Sequence, residues 1–452
     1  DVYKRQVRTV AATGSEGNHA GQIYRFRTCT ISFSGIIQQL KEGKGNMPLK
    51  VVVIGGGASG LAAAITAAWG GAEVIILEHK DRVGKKILMT GNGKCNLTNV
   101  SDYHGKYYGE DVERIYSFLD RFSPQDTIAF FRQMGLYTKE KRDGGIYPVS
   151  EQATAVLDVL RSTCIHLGVK VFTECEPVSI KQGMVYYLEQ KTQKKQIHFD
   201  KLILAAGGTA APVSGSDGSG YNLAKTLGHH LIRPLPALVQ LRCEGNYFKA
   251  LSGVRAQAGL TLYIDHKIAA TEEGELQLTD YGISGIPVFQ FSRIVARALS
   301  EQKQCQVKID FLPFFQQVDM EKIKESISKV AYKTVEEFLS GMAHKKIASL
   351  ICKQAQIKPD VRVGELPAKK VMSCVEALRK FTVTVKAANP FENAQVCSGG
   401  IPLKEVTDQL ESIYCKNIYI TGEILDCDGI CGGYNLQWAW ATGVLAGRAV
   451  VQ

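Results

Sequence analysis

The chain has 452 residues, enough for two domains or for one domain that carries a large insertion. Its content of 45% hydrophobic and 22% charged residues is ordinary for a soluble globular protein. This composition excludes classes with a strong bias, such as collagen-like or intrinsically disordered chains. The net charge of +10 favours a solvated basic surface over a nucleic-acid groove, and it also suits anionic cofactors or substrates. Twelve scattered cysteines and the lack of a secretory segment predict reduced thiols and a cytoplasmic location.

Residues 1–46 lack the sustained apolar periodicity of a folded element and are rich in Gly, Thr, Ser and Gln. Met47 stands just before the first predicted strand, where a Rossmann-type protein normally begins. We therefore expect residues 1–46 to be a non-native or disordered leader and Met47 to be the native start. A transit peptide is the alternative, because acidic residues are few in this segment.

The most informative motif is the glycine turn GGGASG, which follows a β-branched run and precedes a small-residue helix. A second apolar strand then ends at Glu78. This is the G-x-G-x-x-G arrangement of dinucleotide-binding proteins in its required context. Gly55 permits the tight turn, Gly57 lets a diphosphate approach the backbone, and Gly60 allows close packing of helix and strand. Glu78 can accept hydrogen bonds from a ribose diol.

A membrane-spanning segment is the competing interpretation of the uncharged run 51–72. Three adjacent glycines interrupt this run, and no close cluster of Lys or Arg brackets it. Buried parallel strands around a helix also give an uncharged sequence. We therefore expect no membrane association.

Further elements follow in chain order after a basic, glycine-rich stretch at 79–99. Patterns of apolar residues predict helices at 111–122, 124–134 and 151–167, a strand near 169–174, a β-hairpin within 178–199, a buried strand at 201–208 and a helix from near Gly218. From residue 235 to about 388 the chain predicts alternating strands, then amphipathic helices between 320 and 381, then a final strand. A strand, loop and small-residue helix occupy 416–452.

These patterns predict one α/β fold that is split around an inserted domain. We place the first part of the dinucleotide-binding domain at 47–236, the insertion at 237–388 and the second part at 389–452. Gly422 and Glu423 end a buried strand in the last part, at the edge where open α/β sheets bind ligands. Glu423 suits ribityl hydroxyls, and the helix that opens near Asn435 and Leu436 can direct N–H groups to a flavin pyrimidine edge. This second unit favours FAD over NAD as the resident cofactor.

Several other residues have an ordinary structural explanation beside a functional one. Cys427 and Cys431 are not spaced as C-x-x-C, so a redox-active pair is the less favoured interpretation. The pair at 229–230 is interpreted as a helix C-cap or a surface pair of histidines, and Trp438 and Trp440 as packing residues. No second histidine–cysteine pair has zinc-ligand spacing, so no metal site is predicted.

A set of longer motifs gives a more specific indication. In chain order these are GGGASG, GKKILMTGNGKCNLTN, GGIYPVSEQA, AAGG, GSDGSGY, LTDYGISG, VCSGGI and TGEILDCDGICGGYNLQWAWATG. Together they resemble the BaiN-like (YhiN-like, or aminoacetone oxidase) family of FAD-dependent NAD(P)H oxidoreductases, from about residue 47 to residue 451. The resemblance implies a two-dinucleotide-binding-domain, glutathione-reductase-like FAD-binding Rossmann fold, interrupted by an inserted β-barrel plus helical domain.

The resemblance also implies which residues hold FAD. Those expected at the diphosphate, the adenosine, the lining loop, the ribityl chain and the flavin ring are Gly55, Gly57, Ala58, Ser59, Gly60, Glu78, Lys86, Gly93, Lys94, Cys95, Asn96, Val178, Ala206, Gly207, Gly422, Glu423, Asn435 and Leu436. Val178 and the 206–207 turn are expected to meet adenine through the backbone.

The resulting functional expectation is a cytoplasmic enzyme that takes hydride from NAD(P)H and reduces an organic acceptor, such as the C=C bond of an oxo-bile acid or steroid-like enone. Such a reduction needs a proton donor, for which Tyr147, Tyr281 and Tyr434 are weak candidates. The alternatives are a flavin amine oxidase that releases peroxide, and a non-catalytic flavin- or RNA-binding protein. We expect a small-molecule substrate and no nucleic-acid partner; the sequence leaves the oligomeric state open.

Overall fold

A computed structural model describes residues 48–89 and 93–452, so the predicted leader at 1–46 lies outside the described residues. The strands in chain order are β1 Lys50–Ile54, β2 Glu73–Leu77, β3 Thr98–Asn99, β4 Tyr107–Tyr108, β5 Thr138–Glu140, β6 Gly145–Pro148, β7 Lys170–Phe172, β8 Cys175–Lys181, β9 Met184–Glu189, β10 Gln193–His198, β11 Lys201–Leu204, β12 Leu235–Ala237, β13 Leu241–Cys243, β14 Arg255–Ile264, β15 Lys267–Leu278, β16 Gly282–Ser284, β17 Cys305–Asp310, β18 Phe381–Ala388, β19 Val396–Ser398, β20 Ile418–Ile420 and β21 Asp428–Gly429.

The α-helices connect these strands and cover the sheets. In chain order they are α1 Ala58–Trp69, α2 Lys85–Leu88, α3 Val112–Arg121, α4 Pro124–Gln133, α5 Ala153–His166, α6 Ser219–Thr226, α7 Phe248–Leu251, α8 Ile286–Ser300, α9 Gln317–Ser326, α10 Val335–Ser340, α11 Lys345–Gln354, α12 Ala368–Arg379 and α13 Tyr434–Ala449. Within the described residues, no helix is long and apolar enough to cross a bilayer.

The central sheet is parallel and has the strand order β20-β11-β1-β2-β7. The apolar side chains of β1 and β2 are buried, as expected for a parallel sheet that is covered on both faces. Parallel strands end at one common edge, so the turn after β1 meets the segments that follow β11 and β20. Residues from three distant parts of the chain therefore gather at this edge.

Helix α13 packs against α1 across a face of small residues. A Cβ on Gly443 would lie 2.4 Å from the Ser59 carbonyl oxygen, and one on Gly447 would lie 2.6 Å from that of Ala63. Only glycine at these two positions permits the two backbones to approach so closely. The C-terminal helix thereby returns to the first helix of the fold.

The polypeptide between β7 and β11 forms a three-stranded antiparallel sheet in the order β10-β9-β8. The prediction of a single hairpin within 178–199 is therefore wrong in extent, because the first strand begins at Cys175 and pairs with β9 as well. The side chains of β10 are polar and mostly exposed, so the apolar alternation in this region was too weak to separate three strands.

The insertion consists of a closed barrel, β13-β16-β15-β14-β17-β18, and the helices α7 to α12. The predicted combination of a dinucleotide-binding sheet with an inserted barrel and helices is therefore confirmed. Barrel strands begin at Leu241 and end at Ala388; the boundaries at 236/237 and 388/389 stay predictions. Helix α8 was not predicted, because its first half is rich in β-branched and aromatic residues and its N-cap, Gly285, makes no side-chain cap.

Candidate functional site

The glycine turn after β1 leaves space for a side chain only at Gly57, the second glycine of the G-x-G-x-x-G motif. A Cβ on Gly55, which has φ +99°, would lie 2.5 Å from the Ala205 carbonyl oxygen, and one on Gly60 would lie 1.9 Å from that of Gly55. A Cβ on Gly57 would meet nothing within 4 Å. Helix α1 begins here without a side-chain cap and without an acidic residue in its first turn. This open helix N-terminus fits a diphosphate.

The Ser59 hydroxyl in the first turn of α1 bonds to Thr421 Oγ1 at 2.7 Å. The side chain thus joins α1 to the segment after β20, so the backbone of Ser59 is the part left for the predicted diphosphate contact. Ala58 is the first residue of helix α1 and directly precedes Ser59.

Glu78 lies at the end of β2 with only 7% of the residue exposed. Its carboxylate oxygens accept hydrogen bonds from the backbone N–H groups of Gly56 and Lys80, both at 2.8 Å. These bonds fix the carboxylate beside the glycine turn, and its remaining lone pairs can accept ribose hydroxyls. The geometry therefore suits the predicted adenosine-ribose role.

Val178 lies at a β-bulge, because the pairing of β8 with β9 passes from Pro177 to Ser179. A bulged residue is left out of the ladder, so its backbone groups can serve another partner. The side chain of Val178 is 49% exposed.

Ala206 and Gly207 follow β11 at the sheet edge, and Gly207 has φ +74°. Both features suit backbone recognition of a base.

Glu423, after β20, connects the predicted site residue Lys86 to the segment around Cys397, which was not predicted at the site. Its carboxylate pairs with Lys86 Nζ at 2.5 Å and accepts the Cys397 N–H at 2.9 Å. Gly422 precedes it with φ +85°, and a Cβ there would lie 2.9 Å from that of Ser59. The structure thus brings Lys86, predicted to line the cofactor, next to Glu423 and Gly422, predicted at the ribityl chain; the cofactor contacts themselves stay predictions.

The lining loop contains a buried polar atom without a partner. Asn96 Oδ1 makes no hydrogen bond within the described residues. A Cβ on Gly433, directly before α13, would lie 2.9 Å from this oxygen. Gly93 faces open space, whereas Lys94 extends to Glu151 at 2.9 Å. An unsatisfied amide oxygen next to a helix N-terminus fits a polar ring edge in this place.

The start of α13 is fixed by its own side chains. The Asn435 amide donates to the Gly429 carbonyl and its oxygen accepts the Gly429 N–H, both at 2.8 Å. The indole N–H groups of Trp438 and Trp440 donate to the carbonyl oxygens of Gly422 and Leu97. Leu436 lies in the same first turn, where no side chain caps the helix. The free N–H groups of this turn can face a flavin pyrimidine.

The three candidate tyrosines lie in different surroundings. Tyr147 neighbours the lining loop, because a Cβ on Gly145 would contact both Tyr147 and Asn96 at 3.2 Å. Tyr434 is 5% exposed and packs edge-on against Tyr107. Tyr281 belongs to the barrel, where its hydroxyl accepts from Asn389 at 3.0 Å. The structure does not bring the three hydroxyls together, so their catalytic role stays a prediction.

The cysteines near the site are buried thiols. Burial raises the pKa of Cys95 to about 12 and that of Cys431 to about 12, and it raises the pKa of Cys427 well above its usual range. Thiols of this kind are protonated near neutral pH and are poor nucleophiles. All eleven cysteines in the described part of the chain are free.

A charged contact that the sequence did not suggest joins the insertion to the loop before α13. Arg293 on α8 pairs with Asp428, with 2.7 Å between Nε and Oδ2, and also donates to the Ser398 hydroxyl at 3.2 Å. Its guanidinium carbon lies 4.0 Å from the ring centroid of Tyr108. Three residues earlier on the same helix, Gln290 accepts the Cys431 N–H at 2.9 Å.

Asp428 is almost fully buried, and burial raises the pKa of its carboxyl, an effect that Arg293 opposes. Only the amphipathic pattern of 286–300 could have indicated this contact, since one face of that helix is apolar and the other carries Gln290 and Arg293. Within residues 48–89 and 93–452, no group of three His, Cys, Asp or Glu side chains is placed to hold a metal ion.

The His229–His230 pair differs from the sequence interpretation. The His229 side chain is fully buried, with Nδ1 3.0 Å from Glu405 Oε2 and Nε2 2.8 Å from the Ser412 hydroxyl. A surface location is therefore wrong for His229, whereas the side chain of His230 is 77% exposed. The pair connects α6 to the segment before β20.

Comparison with known proteins places this architecture in a family. The HI0933-like protein Rossmann domain matches residues 49–449. The 3-dehydro-bile acid delta(4,6)-reductase of Clostridium scindens is 43% identical over 407 residues, which cover 89% of this chain and 99% of that protein. The ribosomal RNA dihydrouridine synthase of Haemophilus influenzae is 28% identical over 400 residues, 86% of this chain and 96% of that protein.

Among solved structures, a 3-ketosteroid-delta4-(5alpha)-dehydrogenase from Rhodococcus jostii RHA1 aligns with a TM-score of 0.44 at 15% identity, and the match covers 90% of this chain and 98% of that one. The family match spans the sheet, the insertion and the C-terminal unit. The chain therefore belongs to the family of HI0933-like proteins, which confirms the predicted resemblance and the FAD-binding Rossmann-type fold.

Proposed function

We propose that this protein is an FAD-dependent oxidoreductase that takes hydride from NAD(P)H and reduces a carbon–carbon double bond conjugated to a carbonyl group. The favoured substrate is an oxo-bile acid or a steroid-like enone. The observation that carries this proposal is 43% identity to a bile acid reductase across nearly the whole length of that relative. The open cradle at Gly57 supports the cofactor part of the proposal.

The residues divide the work of binding FAD. We assign the diphosphate to Gly57 and the N–H groups of α1, the adenosine ribose to Glu78 and the ribityl chain to Glu423. The pyrimidine edge would face the first turn of α13, where the helix dipole favours negative charge. When bound, FAD accepts and delivers hydride, and the protein supplies orientation and excludes water.

A second candidate substrate is a pyrimidine in RNA. Relatives that are 28% and 26% identical carry the name ribosomal RNA dihydrouridine synthase and align over 86% of this chain. Dihydrouridine differs from uridine by saturation of one ring C=C bond that is conjugated to a carbonyl. Both candidates therefore share one reaction class, and the net charge of +10 is compatible with a polyanionic substrate.

The decisive experiment separates the two half-reactions. Purified protein should show a flavin absorption spectrum and bleach under anaerobic conditions with NADH or NADPH. The reduced protein is then mixed with a panel of steroid enones or with a uridine-containing ribosomal RNA fragment. Reoxidation by an enone alone supports the first candidate, and reoxidation by the RNA supports the second.

The same experiment tests an amine oxidase. Fast reoxidation in air, with peroxide formed from an amine and no bleaching by NAD(P)H, would contradict the proposed reductase. Folded protein that is colourless and does not bind added FAD would contradict the whole assignment.

A further inference from the structure

We propose that Glu272, on barrel strand β15, is the proton donor for the reduced double bond. This inference rests on the proposed function, because it names the acid that a conjugate reduction requires. The sequence candidates for this role were tyrosines, and Glu272 attracts no attention in the run EEGE of a strand that carries several acidic residues.

Strand parity places Glu272 on the inward face of the barrel wall. Alternate residues of a strand share a face, so Glu272 lies on the same side as Gly274 and Leu276. Leu276 is fully buried, and a Cβ on Gly274 would lie 3.5 Å from Pro287 at the start of α8. Glu272 is also paired across the ladder with Leu260, which is fully buried. Its neighbours Glu273 and Glu275 are on the exposed face.

Helix α8 connects this face of β15 to the loop that precedes α13, because Pro287 at its start lies beside Gly274 and its Gln290 accepts the Cys431 N–H at 2.9 Å. The carboxylate contributes to raising the pKa values of Tyr108 and Cys431, for both of which burial is the main cause, and Lys106 lowers the pKa of Glu272 itself. These three residues form one patch, because the Ile430 N–H donates to the Lys106 carbonyl at 3.0 Å and Tyr108 pairs with Asp428. Cys431 lies two residues before Gly433, at the predicted flavin edge.

Glu272 is the acidic residue of this patch whose carboxylate has no partner. It makes no hydrogen bond or ion pair within the described parts of the chain, although it is only partly exposed. Asp428, by contrast, is paired with Arg293. Burial raises the pKa of Glu272, which favours the protonated carboxyl that a general acid needs. A half-buried carboxyl without a partner on an otherwise apolar face has no structural role that explains it.

The proposed step is balanced in atoms and charge. Hydride delivered to the β-carbon of the enone leaves an enolate, and the O–H bond of Glu272 breaks as a C–H bond forms at the α-carbon. The resulting carboxylate regains a proton from water, to which its partial exposure gives access. The reduced substrate therefore gains one hydride and one proton, and Glu272 returns to its initial state.

The test measures the two half-reactions of the FAD-loaded enzyme separately. In Glu272→Gln, we expect flavin reduction by NAD(P)H to stay within about twofold of the wild type. Reoxidation by the enone should slow by about 100-fold or more, the usual contribution of a general acid. Wild-type reoxidation should fall as the pH rises through the pKa of Glu272, and this limb should be missing in the variant. Glu272→Asp should restore part of the rate.

Glu273→Gln is the matched control, because it removes a carboxylate from the opposite, exposed face of the same strand. A readout without turnover uses alkylation of the FAD-free protein at pH 9. Removal of the Glu272 carboxylate should accelerate alkylation of Cys431, whose pKa it helps to raise, and leave the distant Cys415 unchanged as an internal reference.

Two failures are distinguishable. Wild-type protein that binds no FAD, or that is reduced but not reoxidised by any enone, overturns the proposed function and the proton-donor role with it. Wild-type protein that works while Glu272→Gln keeps the same reoxidation rate and the same pH profile overturns only the assignment of Glu272.

Discussion

Arg293 and Asp428 form a two-pronged ion pair between helix α8 of the insertion and the loop before α13. Nε lies 2.7 Å from Oδ2, and Nη2 lies 3.2 Å from Oδ1. Only 1% of the Asp428 side chain is exposed, and 14% of that of Arg293. A bidentate pair of this kind fixes relative orientation as well as distance, so it holds the insertion against the predicted flavin edge.

Removal of one partner of this pair should be costly. We expect Arg293→Met to lower the free energy of unfolding by about 3–5 kcal/mol, because a buried carboxylate loses its counter-charge. The affinity for FAD should fall as well, since the loop before α13 loses its support. The measurement is chemical denaturation together with FAD titration.

Arg297→Met on the exposed side of the same helix is the control for this variant, and it should cost less than about 1 kcal/mol. The double variant Arg293→Met/Asp428→Asn should recover part of the loss, because it leaves no unpaired charge. Equal stability of the single Arg293 variant and the control would contradict the role of the pair.

Two glycines of the first turn should respond in opposite ways to alanine. Gly57→Ala should change the unfolding free energy by less than about 1 kcal/mol, since the new Cβ enters open space. It should nevertheless weaken FAD binding at least about tenfold, a change of about 1.4 kcal/mol. Gly60→Ala should destabilise the fold itself by about 1–3 kcal/mol or more, because its Cβ would meet the Gly55 carbonyl. Calorimetry of the FAD-free proteins and titration with FAD distinguish the two outcomes.

Replacement of Glu78 should affect both stability and cofactor binding. Glu78→Gln places an amide NH₂ where one of two backbone N–H groups needs an acceptor, so we expect a loss of about 1–3 kcal/mol in unfolding free energy. FAD binding should weaken because the ribose loses an acceptor. Glu73→Gln on the same strand removes only a surface ion pair with Lys170 and should cost less than about 1 kcal/mol. Indistinguishable melting curves for the two variants would refute this assignment.

His229 should make the fold sensitive to mild acid. Burial lowers the pKa of His229 below its usual 6.5, against the opposing effect of Glu405. The unfolded chain therefore binds this proton more readily than the folded protein, so stability is complete above about pH 6.5 and is lost as the pH falls below it. The melting temperature should drop between pH 7 and pH 5, and His229→Gln should flatten that dependence.

The neighbouring Glu405 affects stability in a lower pH range than His229 does. Its pKa lies below its usual 4.5 because hydrogen bonds from His230 and His229 outweigh the effect of burial, so its contribution is lost only at lower pH. His166→Gln, at an exposed position, serves as the control and should keep the wild-type pH dependence. A steep dependence that persists in His229→Gln would exclude His229 as its cause.

The cofactor frame could be predicted from the sequence because its determinants are local. The turn from Gly55 to Gly60, the acidic end of β2 at Glu78 and the unit that begins at Gly422 each depend on residues within a few positions of one another. Their periodicity and glycine placement also indicated that the fold is split around an insertion. The family resemblance added residues such as Val178, whose backbone role has no local pattern.

The contacts across the domains could not be predicted in this way. Arg293 and Asp428 are 135 positions apart, and their pairing depends on how the barrel packs against the sheet. The burial of His229 and the inward placement of Glu272 likewise follow from distant segments that remove water from one face of an element. Local sequence sets which elements form and where a diphosphate can approach. Which charges become buried, paired or left without a partner is decided only when the tertiary structure excludes solvent.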